Sequence, residues 1–404
     1  MTMTMKDDLE PETFSRRKTD EPSSVRVLKP RRAAPADAVR PTRAEVNLAA
    51  LRHNLRVVHK HAGAARVWPV LKADGYGHGA PAVARTLERA GASGFCVALL
   101  EEAVELRDAG IQAPILVMGG YYGGAYEEIA MRGLVPVIYD ASHLEGLARA
   151  ARSIGRPVEA HLKVDTGMAR LGVGMGDLEA FASKILARSE VHVTGLMTHL
   201  SSADEEVGGG MTDAQVARFE EATSRLAKSG LSFAVRHAAN SAAVLREVAR
   251  YDVVRPGIAL FGVSPLGTSE LKPAMRVRSE IIDLRTVPAG QPIGYGGLYR
   301  PAASARIATI PIGYADGLSR QLSNRGHVLV RGCRAPIVGA VSMDMSMIDV
   351  TGIPDAAIRD EVVVLGTQEK ASISADEVAS QAGTIAWEVL TSISRRVPRF
   401  YREP

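Results

Sequence analysis

The chain has 404 residues, 46% of them hydrophobic, enough for two domains with a large core. Its formal net charge is +4, and half of that sits in residues 1–40, where nine Lys and Arg face seven Asp and Glu, so the rest is too weakly basic for a nucleic-acid surface. Cys96 and Cys333 have no CxxC partner and no apolar run approaches roughly 20 residues, which argues against a structural zinc site or a membrane span and predicts a cytoplasmic protein.

Residues 1–40 mix Pro, Ser, Arg and acidic residues without an apolar core. They read as a disordered tail, not as a secretory signal or transit peptide. Alternation over 43–48 predicts a strand and 51–61 a helix, a pair that could join either domain. Strands are then predicted at 67–71, 95–99, 115–118, 135–139, 158–164, 191–199, 233–237 and 253–261. Amphipathic helices fall between them at 80–90, 101–109, 125–132, 142–154, 176–188, 212–229 and 241–248. Eight apolar strands separated by helices predict a TIM (β/α)8 barrel over 41–275, with a doubly wound open sheet as the alternative. From about Arg276 the texture changes. β-branched runs separated by Gly and Pro predict strands at 281–287, 305–311, 327–331, 335–341, 346–350 and 361–365. Helical stretches are read at 374–382 and 386–396. Residues 276–404 thus form a separate, mainly β domain.

A barrel site sits at the C-terminal ends of its strands. Lys72, Lys163, Arg170, His199, Asn240, Ser241 and Arg255 all fall at or just past a predicted strand end. Lys72 ends an apolar run and precedes a Gly-rich turn. A lysine desolvated there has a lowered pKa and can form a Schiff base with an aldehyde, whereas an isolated lysine would snorkel at the surface. Ser241 opens a helix. Its hydroxyl and the nearby N–H groups, together with those of the Gly257-Ile258 turn, suit an anion. Taken singly, Ser241 is an N-cap, Arg255 an ion-pair residue, His199 a satisfied buried histidine and Tyr295 part of a β-domain core.

Several strings resemble the alanine racemase family, in the family's order and over nearly everything after residue 40. Lys72-Ala73-Asp74-Gly75-Tyr76-Gly77-His78-Gly79 resembles its pyridoxal-phosphate lysine motif. Lys163-Val164-Asp165-Thr166-Gly167-Met168-Ala169-Arg170-Leu171-Gly172 is the longest match. Thr198-His199-Leu200, Asn240-Ser241-Ala242 and Arg255-Pro256-Gly257-Ile258 follow. Gly294-Tyr295-Gly296, Pro311-Ile312-Gly313-Tyr314-Ala315-Asp316-Gly317, Ser342-Met343-Asp344 and Ser394-Arg395-Arg396-Val397-Pro398-Arg399 lie in the second domain.

The resemblance implies an isomerase that uses pyridoxal 5'-phosphate to interconvert L- and D-alanine, supplying D-alanine for peptidoglycan or catabolising it. It implies Lys72 as cofactor anchor and one base, and Tyr295 of the partner subunit in a homodimer as the second base. Tyr76, Asn240, Ser241, Gly257 and Ile258 are implied around the cofactor, Arg255 at its ring nitrogen and His199 beside Arg255. Arg170 would contact cofactor and substrate, and Lys163 resembles a lysine that is often carbamylated. Tyr314 and the Met343 backbone resemble a substrate gate and carboxylate contact from the second subunit. No metal is implied. Ser342, Phe261 and Arg395 depart from frequent family residues, and Arg395 bears on side-chain selectivity at the entry. The alternatives are a serine or broad-specificity racemase, a decarboxylase of basic amino acids on the same barrel, and a non-catalytic cofactor-binding barrel. The Arg170 and Tyr295 strings argue against the decarboxylase, and the β domain argues against the barrel-only protein.

Overall fold

The computed structural model describes residues 39–120, 125–205 and 210–403. Residues 1–38 of the expected tail lie outside the described residues. Strand β1 (Arg43–Asn47) leads into the helix Leu48–Ala62. The Asn47 side chain caps that helix by accepting the Ala50 N–H at 3.0 Å. Leu51, Leu55, Val58 and Ala62 recur at helical spacing and are buried, so one face of the helix packs on the core.

The barrel strands follow in chain order. They are β2 (Arg66–Val67), β3 (Phe95–Leu99), β4 (Ile115–Gly120), β5 (Val135–Ile138), β6 (Val158–Lys163), β7 (Val191–Met197), β8 (Val235–His237) and β9 (Val253–Val254). β3 to β8 form one parallel sheet and β2 pairs with β9 in parallel. Irregular backbone joins the two pieces. Val70 bridges Cys96. The Asp252 N–H donates to the Arg236 carbonyl at 3.0 Å, and the Arg255 N–H to the Ala239 carbonyl at 2.9 Å. The fold is the expected TIM-type barrel. All four residues of β5 are buried, as parallel strands covered by helices should be.

The first and last predicted strands are much shorter than expected, for a physical reason. Pro256 has no N–H to give to a ladder, and Gly257 leaves the strand region at φ −115°, ψ −93°. The 253–261 run therefore breaks after Val254, and Ile258–Phe261 becomes a 3-10 turn. The 67–71 run alternates partners after Val67: Val70 N–H donates to Pro256 O, and Leu71 N–H to Cys96 O, both at 2.8 Å, and the backbone turns out of the strand region at Leu71.

The second half is mainly β. Its strands are β10 (Met275–Glu280), β11 (Asp283–Val287), β12 (Ala305–Ile310), β13 (His327–Val330), β14 (Cys333–Val338), β15 (Ser346–Asp349), β16 (Glu361–Gln368), β17 (Ala371–Ile373) and β18 (Arg399–Arg402). They order as β11-β12-β15-β14-β13-β16-β10-β1-β18, with β17 on β16. β1, which the sequence left between the domains, thus lies inside this sheet. It pairs antiparallel with β10 and parallel with β18. Glu45 on β1 is buried and accepts from Arg278 at 2.9 Å and Arg402 at 2.6 Å, so the charge is compensated across three strands. The helices Ala375–Ala382 and Ala386–Ser392 complete the domain.

Arg40 departs from the expected tail. Its guanidinium grips the fully buried Asp316 carboxylate through Nη2–Oδ1 at 2.7 Å and Nη1–Oδ2 at 3.1 Å. This bidentate ion pair fastens residue 40 to the Tyr314–Gly317 turn.

Candidate active site

A cavity of about 340 Å³ opens at the C-terminal mouth of the barrel. Lys72, Tyr76, Lys163, Arg170, His199, Asn240, Ser241, Arg255, Gly257 and Ile258 all line it. Ten residues singled out from the sequence, drawn from five stretches of the barrel half, therefore meet in one place.

Lys72 begins a tight turn. Ala73, Asp74, Gly75 and Tyr76 all adopt left-handed φ between 50° and 61°, a conformation that non-glycine residues hold only under constraint. The constraints are visible. The Asp74 carboxylate accepts the Ala80 N–H at 2.8 Å, and Glu102 accepts the Ala73 N–H at 2.6 Å. The other Glu102 oxygen accepts the Ala98 and Leu99 N–H groups, so Glu102 ties the lysine turn to the end of β3. Nδ1 of the fully buried His78 pairs with the Tyr76 carbonyl at 2.8 Å. Lys72 opens on the cavity. Burial lowers its pKa most, Arg170 lowers it further, and Glu102 opposes both.

Tyr76, Ser241 and Gly257 converge. The Gly257 N–H donates to Ser241 Oγ at 2.8 Å. A Cβ at Gly257 would stand 2.2 Å from the Tyr76 hydroxyl, so only glycine fits. Tyr76 packs on Phe261 at 4.9 Å, and burial raises its pKa, which keeps the phenol a neutral donor. Asn240 acts on backbone: its Oδ1 accepts the Ala243 N–H at 3.1 Å and its Nδ2 donates to Leu200 O at 3.1 Å.

Arg255 is buried at the cavity floor. It donates to His237 Nδ1 at 2.6 Å, to Thr198 O at 2.7 Å and to Ala238 O at 3.1 Å. Burial pushes its pKa down to about 10, which leaves it charged at neutral pH. Because arginine only donates, His237 Nδ1 must accept, and its Nε2 carries the proton toward His161 Nδ1 at 2.8 Å. Trp68 stacks on His161 at 5.8 Å. His199 is surrounded by cations. Burial lowers its pKa well below 6.5, followed by Arg255, Arg170, Lys163 and Lys72. It is a neutral imidazole. Lys163 is 4% exposed, and burial with Arg170 and Arg255 pushes its pKa down to about 8. The Arg170 loop folds on Asp165, whose Oδ1 accepts N–H groups of Gly167 and Met168, both at 2.9 Å.

Tyr295, Tyr314 and Met343 do not line this cavity. They lie on the β domain and are 77%, 43% and 51% exposed. Tyr295 is thus no core residue. Tyr314 and Met343 are fastened together: the Tyr314 N–H donates to Ser342 O at 2.9 Å, and the Ala315 N–H to Met343 O at 3.1 Å.

Sequence models of the alanine racemase N-terminal and C-terminal domains match residues 46–265 and 274–401. The chain belongs to the alanine racemase family. A protein of Sorangium cellulosum named alanine racemase is 59% identical over 380 residues, covering 91% of this chain and all of the relative. Another from Syntrophobacter fumaroxidans is 46% identical, covering 87% and 95%. Alanine racemase from D-cycloserine-producing Streptomyces lavendulae superposes with a TM-score of 0.86 at 36% identity, over 91% of this chain and 98% of that one. The Bartonella henselae alanine racemase, solved with covalently bound pyridoxal phosphate, gives 0.81 at 30% identity over 90% and 99%.

Glu102, His78, His161, His237 and Gln215 escaped the sequence reading. Gln215 is buried and donates to the His199 carbonyl at 3.0 Å. His161 and His237 sit inside β6 and β8, where a polar residue in an apolar strand was the one available signal. The buried imidazoles carry a stability prediction. His78 and His161 have pKa values lowered by burial to about 4 and about 3. The unfolded chain protonates them near 6.5 and the folded chain does not. Stability is therefore full above pH 6.5 and falls as pH drops toward 4, by about 1.4 kcal/mol per imidazole per pH unit. A melting temperature much lower at pH 5 than at pH 7 is expected, and equal values would contradict it.

Proposed function

We propose that this protein interconverts L- and D-alanine with pyridoxal 5'-phosphate in the barrel cavity, Lys72 acting on one face of the substrate and Tyr295 of the partner subunit on the other. The observation that carries this is the division of residues. The cofactor-type groups share one cavity, while Tyr295 stands exposed on the β domain outside it. A homodimer with shared sites accounts for that exposure, because a two-fold pairing supplies both sites equally.

The residues present fit the cofactor. The Tyr76 and Ser241 hydroxyls, brought together beside the Cβ-free Gly257, form a small cradle suited to a phosphate, with Ile258 and Asn240 framing it. Arg255 stays protonated and presents only donors, so it would leave the ring nitrogen unprotonated. When bound, the cofactor supplies an aldehyde for the substrate amine and a ring that draws electrons from Cα.

Lys72, released from the cofactor by exchange with the substrate amine, would take a proton at Cα, and the lowering of its pKa by burial and Arg170 favours that role. Tyr295 of the partner subunit would give or take one from the opposite face. His199, neutral and beside Arg255, would polarise the tyrosine. Arg170 would bind the substrate carboxylate, with Tyr314 and the Met343 backbone of the partner subunit closing the entry. Lys163, with a pKa near 8 and Arg170 beside it, has the free amine that carbamylation needs.

The test is an amino-acid panel on the purified protein with chiral separation of products. Alanine should racemise fastest. Faster turnover of serine would favour the broad-specificity reading, for which Arg395 is the one sequence feature. Borohydride reduction followed by peptide mapping should place a pyridoxyl label on Lys72. A label on Lys163 would overturn the assignment.

A further inference from the structure

Tyr314 and Met343 sit on two turns whose position is not set by a strand or a long helix. Two segments distant in sequence set it instead, meeting at a carboxylate of the turn itself. Asp316 is fully buried, and its Oδ2 accepts the Gly313 N–H at 3.0 Å, closing the turn that carries Tyr314. Arg40 grips both oxygens of that carboxylate. Thr42, two residues on, donates to Pro311 O at 2.7 Å, so the 40–42 segment braces the strand that enters the turn. From the other side, Arg396 Nε lies 3.4 Å from Asp316 Oδ1, and its Nη2 donates to Asp344 Oδ1 at 2.6 Å. The Ser394 N–H donates to Asp316 O at 3.0 Å. The two turns are pressed backbone to backbone: a Cβ at Gly313 would stand 2.3 Å from Ser342 O and 2.4 Å from Met343 O.

We propose that Arg40 is a positioning residue, whose bidentate pair with buried Asp316 fixes the Tyr314 turn, and through it the Met343 backbone, against the partner subunit's site. This rests on the reading that those two residues complete that site. Guanidinium geometry matters here. Two parallel N–H···O contacts fix the carboxylate plane as well as its distance, and a lysine ammonium would fix only the distance. A small displacement of a substrate-contacting group is expensive in rate, so a residue remote from the chemistry can govern it. Arg40 touches neither substrate nor cofactor cavity, and should act on substrate affinity without disturbing the cofactor.

The experiment uses the full-length, cofactor-loaded protein as reference, with Arg40→Ala, Arg40→Lys and Tyr314→Phe made in it. Steady-state kinetics in both directions, visible cofactor absorbance, the Lys72 label and the melting temperature are read for each. Arg40→Ala should lower kcat/KM by roughly 10- to 10²-fold, chiefly through KM for alanine, with absorbance and label unchanged. Arg40→Lys should recover part of the loss, and it decides the matter alone if Arg40→Ala does not fold. A lowered melting temperature with unchanged KM in the Arg40 variants would make the pair merely structural and overturn the proposal. If Tyr314→Phe raises KM while neither Arg40 variant does, the proposal falls and the site reading stands. If Tyr314→Phe leaves KM unchanged, the underlying reading of Tyr314 falls with it.

Discussion

Replacing Tyr295 by phenylalanine is expected to lower racemisation by on the order of 10²–10⁴-fold, the usual worth of a positioned general acid or base. The hydroxyl is the only group lost, and Tyr295 is 77% exposed on its own subunit, so folding should be untouched. Cofactor binding should survive, because Tyr295 does not line the barrel cavity. In deuterated solvent the variant should still exchange the α-proton of the enantiomer whose hydrogen faces Lys72, and that exchange should outrun inversion. Near-normal racemisation would remove Tyr295 from the mechanism.

Lys72→Ala should be at least as damaging, on the order of 10²–10⁴-fold or more, because the proposed reading makes this one residue both base and cofactor anchor. The borohydride label should vanish. The Tyr76, Ser241 and Gly257 cradle is separate from the amine, so the variant should still bind the cofactor reversibly. Added methylamine, a small primary amine that fits the space left by the side chain, should restore part of the lost exchange. Full activity without any added amine would contradict the role of Lys72.

The sequence made the barrel legible because parallel strands buried on both faces leave apolar runs, and their helices leave a clean 3.6-residue period. It failed where the backbone bends at the cavity. The 253–261 run reads as a strand by composition, yet Pro256 and Gly257 break it to bring Arg255, Gly257 and Ile258 to the cavity floor. The left-handed turn after Lys72 follows no propensity, since Ala73, Asp74 and Tyr76 disfavour it in isolation and tertiary contacts impose it. β1 could not be assigned because its partners, β10 and β18, lie more than two hundred residues away. Ten of the residues lining the cavity were found through motif strings. The residues that hold them, Glu102, His161, His237 and Gln215, were not, because a supporting contact is defined by three-dimensional neighbours and leaves no local pattern. Arg40 was read as tail for the same reason: its partner Asp316 is 276 positions away.

The central claim is that each site is built from two subunits, and mixing two inactive dimers tests it most directly. Lys72→Ala and Tyr295→Phe proteins, differently tagged, are allowed to exchange subunits, and mixed dimers are confirmed by mass. A mixed dimer holds one site with both lesions and one intact site. Random exchange of equal amounts should restore roughly one quarter of wild-type activity, since half the dimers are mixed and each has one working site of two. Mixed dimers that form in that proportion and stay as inactive as their parents would contradict the shared site.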